Sequence, residues 1–186
     1  NRVREVNPGI EGKAVYIGTD LTDFDKYTEF SKNEKEYFDI GYVGALGHSY
    51  DIKLVIDALE KIENVDKIKN IRFIIIGDGI LKNEFINHAK YKNVNAVFKG
   101  NLPYKEMVSE LSKVDIVINP IVKNGMQSIT NKHADYTAIG KPVINTQPNK
   151  EYRDLVDNNF MGINCEPGNI EDVRLAILKL YHNRQL

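Results

Sequence analysis

Short apolar runs recur along this chain, and each is followed by a stretch whose apolar positions fall three or four residues apart. Residues 40–43, 71–76, 94–98, 116–118 and 142–144 are rich in Ile and Val, as strands buried on both faces of a sheet are. Ile52, Val55, Ile56, Leu59 and Ile62 make one helical stripe, Leu81, Phe85 and Ala89 a second, and Met107, Val108 and Leu111 a third. The spacing predicts a last helix over about residues 170–181, with Val173, Ile177 and Leu180 on one face. Strand and helix alternate, which predicts an α/β fold: a Rossmann-like, doubly wound parallel sheet covered on both sides.

The opening of the chain breaks this rhythm. "AVYIGTD" reads as a strand entering a turn, while "LTDFDKYTEFSKNEKEYF" is charged and weakly periodic, as a surface connection would be. The expected organisation is a linker with its entering strand over residues 1–38 and one compact domain over residues 39–186. Without an initiating Met or a clear first βα unit, the sequence reads as a piece of a longer protein.

Composition narrows the partners. At 186 residues one domain can bury roughly 70% of its unfolded surface. The 25 basic and 26 acidic residues are mixed along the chain, for a net charge of −1, so there is no electrostatic footprint for nucleic acid. A small, specific ligand fits better. No run approaches the roughly 18 apolar residues of a membrane span, and no leader pattern is visible, so a cytoplasmic location is expected. Cys165 is the single cysteine, which excludes an internal disulfide and a Cys-based zinc cluster; its simplest role is that of a small residue in a strand.

In a doubly wound sheet ligands bind where strands end, so chemistry is expected in the turns. "GALGHSYD" follows the first core strand. Gly44 and Gly47 would let the backbone approach a phosphate at a helix N-terminus, although a plain turn capped by Ser49 or Asp51 explains the same residues. "IGDGILK" sets Gly77 and Gly79 around Asp78 but has Lys82 where a dinucleotide fingerprint needs its third glycine, so NAD is rejected and only a Gly-rich rim remains. "KGNLPYKEM" places Asn101, Leu102 and Pro103 ahead of a helix, in a turn whose backbone could read the edge of a base. The fourth turn, "INPIVKNGMQSITNKHADY", is the most polar and leads into a helix for which Ser128 or Thr130 is the expected cap. There Lys132, Asp135 and Tyr136 stand at i, i+3 and i+4, on one face. A cation and a carboxylate one turn apart could hold a diphosphate and a sugar hydroxyl together, or could be a surface ion pair worth about 0.3 kcal/mol.

Taken in order, "VGALGHSYDIKLVIDAL", "IRFIIIGDGILKNEF", "NVNAVFKGNLPYKEMVSELSKVDIVINP" and "NKHADYTAIGKPVI" resemble the nucleotide-sugar-binding half of family 4 glycosyltransferases, the retaining GT-B enzymes. The likeness runs from about Asp39 to the end, "VYIGTDLTDF" is similar to the linker that enters this half, and the capsule, O-antigen and exopolysaccharide members are the most similar. The resemblance implies a nucleotide diphosphate sugar as donor. It implies a glycan or lipid-linked acceptor held by a separate N-terminal domain, and peripheral association of the full-length protein with the inner face of a membrane.

It also implies roles for residues. Asp135, five residues before Gly140, stands where the family's second glutamate grips the ribose. Gln127, eight positions earlier, stands where the first glutamate meets the donor sugar. The amides of Ser128, Ile129 and Thr130 would face sugar and diphosphate, and Asn101, Leu102 and Pro103 would lie along the base. Gly44, Gly47, His48, Gly77 and Asp78 complete the expected donor site. One departure matters: the Arg and Lys that many members place after the first strand are missing, and the loop has Ala45, then His48 and Tyr50. Lys132 becomes the expected cation for the leaving diphosphate, with Gln127 as its catalytic companion, while His133 is assigned to structure. "DFD" at Asp23 to Asp25 mimics an Asp-x-Asp metal motif but lies away from the strand ends, and the four histidines have no metal-ligand spacing; no metal or other cofactor is expected. The competing readings are a non-catalytic nucleotide-sugar-binding module, which Gln127 and the missing arginine favour, and a GT-B nucleotide-sugar epimerase, which the lack of an acid and base pair in these loops disfavours.

Overall fold

A computed structural model describes residues 5–9, 15–29, 35–125 and 129–183. Helix α1 (Leu21–Tyr27) is followed by β1 (Phe38–Val43), α2 (Ile52–Lys61), β2 (Ile71–Ile76), α3 (Lys82–Tyr91), β3 (Ala96–Gly100) and α4 (Tyr104–Ser112). The second half holds β4 (Ile116–Asn119), α5 (Lys132–Ile139), β5 (Val143–Asn145), α6 (Lys150–Asn158), β6 (Gly162–Asn164) and α7 (Ile170–His182). The strands form one sheet in the order β3-β2-β1-β4-β5-β6, every neighbour parallel. This is the expected doubly wound fold.

Period-2 alternation feeds two cores. Phe38, Ile40 and Tyr42 of β1 and Phe73 and Ile75 of β2 face α2, α3 and α7, whereas Ile74, Ile76, Val117 and Val143 face the layer of α1, α4, α5 and α6. Each large apolar side chain removed from water in these layers contributes about 1.5–3 kcal/mol. The apolar stripes lie where the helices touch the sheet: Ile52, Val55, Ile56 and Leu59 of α2, Phe85 and Ala89 of α3, and Met107, Val108 and Leu111 of α4 are buried.

Four expectations change. Residues 15–20 take no regular structure, so "AVYIGTD" forms no strand among its described residues. Residues 21–27 are not a surface connection but a helix whose N-cap Asp20 accepts from the Thr22 amide and whose Phe24 is completely buried. Phe24 joins the core that α4 faces, with Tyr27 packed against the same cluster and lying under Lys105 of α4. β3 begins at Ala96 rather than Val94, because the Val94 amide is spent closing α3 on Ala89 O. The apolar pattern marked neither α6, which buries only Tyr152 and Val156, nor the three-residue β6. Cys165 follows β6, extends its ladder by donating its amide to Asn145 O at 2.8 Å, and is buried, which pushes its thiol pKa up to about 12.

Candidate functional site

Strand order reverses between β1 and β4, and the loop leaving β1 crosses that point. Gly44 N donates to Ile76 O (3.0 Å) and Leu46 N to Asp78 O (2.8 Å) on one side; Asp51 N donates to Pro120 O (2.8 Å) and Val122 N to Ser49 O (3.2 Å) on the other. Asp51, not Ser49, caps α2 through the Leu54 amide. A Cβ on Gly77 would lie 1.9 Å from Gly44 O, at a φ of +143° that side chains rarely adopt, and one on Gly79 would lie 2.3 Å from Leu46 O. These two residues are glycine because two loops touch through their backbones.

α5 delivers Lys132 to this loop. Among the described residues no side chain caps the helix: Asn131 occupies the cap position and His133 N turns back to Thr130 O, so Thr130 does not play the expected role. Tyr136 fixes the helix over the switch point, donating its hydroxyl to Ile118 O (3.0 Å) while accepting from Val43 N (3.1 Å). One turn earlier, Lys132 is buried, 8% exposed. Its ammonium lies 3.9 Å from the Tyr50 ring centroid and 4.3 Å from that of Tyr42, against Gly44, where a Cβ would be 2.9 Å away. Among the described residues its Nζ has no hydrogen-bond partner.

That is an expensive arrangement. An ammonium has three donors, and two ring faces give back only about 0.5–2 kcal/mol each of the cost of removing it from water. Burial therefore pushes the Lys132 pKa down from 10.5 to about 7. The sign follows: from about pH 7 to 10.5 the unfolded chain holds a proton that the folded one has released, so stability linked to this group rises with pH over that window. An anion at Nζ would restore the charge.

Asp135 does not neutralise it, which removes the ion-pair reading. Its Oδ1 accepts from the Tyr104 hydroxyl (3.0 Å) and from Thr19 Oγ1 (3.1 Å). Tyr104 in turn lines a cleft of about 440 Å³ at the ends of β1, β2 and β3, together with Gly44, Gly77, Asp78, Asn101 and Leu102. Five residues named from the turns thus meet in one cleft, with Lys132 behind Gly44 and Asp135 beyond Tyr104. Within it Asp78 is already engaged, accepting from Lys82 Nζ (2.6 Å) and the Gly79 amide (2.8 Å), and these bonds, Lys82 first, hold its carboxyl below the usual range.

Other named residues lie elsewhere. Pro103 is the exposed cap of α4. Gly47 and His48 sit on the outer side of the first loop, with open space where a Gly47 Cβ would be. Ile129 and Thr130 line a separate hollow of about 210 Å³ with Tyr16 and His133. His133 is half-buried edge-on to Tyr152, ring centroids 5.1 Å apart, and its pKa is lowered by that burial. Gln127 and Ser128 lie outside the described residues.

One polar cluster was missed. Asn119, Asn145 and Asn164 end β4, β5 and β6 in register. Asn119 Nδ2 donates to Asn145 Oδ1 (3.0 Å) and Asn145 Nδ2 to Asn164 Oδ1 (2.8 Å), with Gln147 Oε1 taking a further bond from Asn119. The signal was present as an Ile-Asn pair closing each of the three strands, in "IVIN", "VIN" and "GIN". Among the described residues no group of three or more His, Cys, Asp or Glu side chains is placed to hold a metal ion, and no helix is long and apolar enough to cross a membrane.

The sequence profile of the glycosyl transferases group 1 matches residues 23–186. The chain belongs to that family. Group 1 membership agrees with the solved structures of the same fold, which are GT-B glycosyltransferases. A TarM variant from S. aureus, solved with fondaparinux, α-GlcNAc-glycerol and UDP, is 19% identical with a TM-score of 0.71, over 99% of this chain and 36% of that one. Anabaena HepE, solved with UDP and glucose, is 17% identical with a TM-score of 0.70, over 93% of this chain and 48% of that one. The catalytic domain of the Helicobacter pylori cholesterol-α-glucosyltransferase is 19% identical with a TM-score of 0.62, over 80% and 88% of the two chains. This group 1 chain thus spans between a third and a half of TarM and HepE. No curated protein sequence matches it.

Proposed function

We propose that this chain is the donor-binding half of a retaining glycosyltransferase that moves a sugar from a nucleotide diphosphate sugar to a polysaccharide or glycoconjugate acceptor. The observation that carries the reading is Lys132: a buried ammonium without a hydrogen-bonding partner among the described residues, at the switch point of a doubly wound sheet. Departure of a nucleoside diphosphate concentrates negative charge on its outer phosphate, and a fixed, desolvated cation stabilises that charge more than a solvated one does. In this reading the diphosphate lies over Gly44 and Lys132, the ribose hydroxyls meet the free oxygen of Asp135, and the base runs along Asn101, Leu102 and Pro103. Gln127 and the amides of Ser128, Ile129 and Thr130 take the sugar. The acceptor belongs to a separate half of the longer protein, at the cytoplasmic face of a membrane.

UDP in the TarM and HepE complexes supports a nucleotide donor. A non-catalytic binding module is the second reading, favoured by Ala45, which leaves the first loop without a cation of its own. Titration with UDP, GDP and their sugars tests the donor site. Lys132→Met and Asp135→Ala are each expected to weaken nucleotide binding 10- to 100-fold, roughly 1.4–2.8 kcal/mol, with cooperative unfolding retained. Unchanged affinity in both variants would end the reading. The isolated chain is expected to bind without transferring sugar, and turnover in the longer protein separates the enzyme from the module.

A further inference from the structure

Asp135 is held by side chains from two distant parts of the chain, Thr19 at a sequence separation of 116 and Tyr104 at 31. We infer that Thr19 and Tyr104 are positioning residues that aim the Asp135 carboxylate at a ribose, which rests on the donor-site reading above. Each hydroxyl has one proton. Both protons go to Oδ1, so the third side of the triangle, 3.2 Å between Thr19 Oγ1 and Tyr104 OH, carries none. Two bonds to the same oxygen fix the rotation of the carboxylate and leave Oδ2 without a partner among the described residues.

The geometry says where that oxygen is useful. Tyr104 is shared: its hydroxyl holds Asp135 while the residue lines the 440 Å³ cleft. Thr19 belongs to the irregular segment 15–20, tied down at its other end by Tyr16, whose hydroxyl donates to Glu151 Oε1 at 2.8 Å. The segment therefore crosses α5 as a strap fixed at two points. A carboxylate that can turn freely pays conformational entropy to meet a diol, and one already oriented does not.

A ligand cycle tests this. The better bound of UDP, GDP and ADP, and its 2′-deoxy and 3′-deoxy forms, are titrated into the chain and into Thr19→Val, Thr19→Ser and Tyr104→Phe. The wild type is expected to prefer the full ribose by at least tenfold. Thr19→Val and Tyr104→Phe should weaken the ribonucleotide by about 5- to 10-fold and the form lacking the contacted hydroxyl less than twofold, while Thr19→Ser, which keeps the hydroxyl, stays near wild type. Equal losses for all forms, no loss, or tighter binding on removing either hydroxyl would overturn the positioning role alone. A wild type that binds ribose and deoxyribose forms alike, or none of them, overturns the ribose reading and this inference with it.

Discussion

On the β1–β2–β3 side of the switch point the loops brace one another through backbone, whereas on the β4–β5–β6 side the strand ends are joined through side-chain amides. Gly44, Leu46 and Gly77 donate main-chain bonds to Ile76, Asp78 and Gly100, and glycine lets those backbones touch. Asn119, Asn145 and Asn164 pass hydrogen bonds from strand to strand. Backbone bracing leaves an open cleft with few side chains of its own, and the amide row ties its three strand ends directly together, with Asn119 Oδ1 left without a partner among the described residues. The cleft's own carboxylate, Asp78, is taken by Lys82, so further charged groups for the cleft must arrive from outside it. α5 carries them across: Lys132 inward behind Gly44, and Asp135 to the rim.

The largest effect should come from breaking the backbone contact. Gly77→Ala forces a Cβ to within 1.9 Å of Gly44 O and should cost about 3–5 kcal/mol in denaturant unfolding. A loss under 1 kcal/mol would mean the two loops can separate freely. Asn145→Ala breaks the other device. It strips Asn119 Nδ2 and the Gln147 amide of one acceptor and Asn164 Oδ1 of a donor, for an expected loss of about 2–4 kcal/mol with the β1–β3 cleft intact. The smallest effect is expected at Gly47, where nothing beyond the adjoining residues lies within 4 Å of an added Cβ. Gly47→Ala should change stability by less than about 0.5 kcal/mol, which sharpens the contrast with Gly77 in the same pair of loops.

Apolar periodicity, not the side of the switch point, decided which elements were legible. The strands of β1, β2, β4 and β5 and the stripes of α2, α3 and α4 are written in apolar period, so the fold class was readable, whereas the strand order that puts the switch point between β1 and β4 is set by tertiary pairing. α6 was not, because in "KEYRDLVDN" only Tyr152 and Val156 are buried, and α1 was not, because one buried Phe24 sits among charges. Lys132 could be named as a cation from the sequence, but its burial depends on Tyr42 and Tyr50 converging from a strand and a loop far away in the chain. No local pattern announces that. Asp135 was likewise a candidate from spacing, while its partners Thr19 and Tyr104 are joined to it only by the fold.

The central claim is that Lys132 is held short of an anion and completed by a diphosphate. Calorimetric titration of UDP, or whichever nucleoside diphosphate binds best, from pH 7.0 to 8.5 tests it, since a group with a free pKa of about 7 must take up a proton to meet the ligand. Wild-type affinity should fall by roughly tenfold over that range, with proton uptake visible as a buffer-dependent enthalpy, and Lys132→Met should be at least tenfold weaker at pH 7.0 and flat within about twofold. Equal affinity in the two proteins, or a wild-type affinity that does not move with pH, would contradict the account.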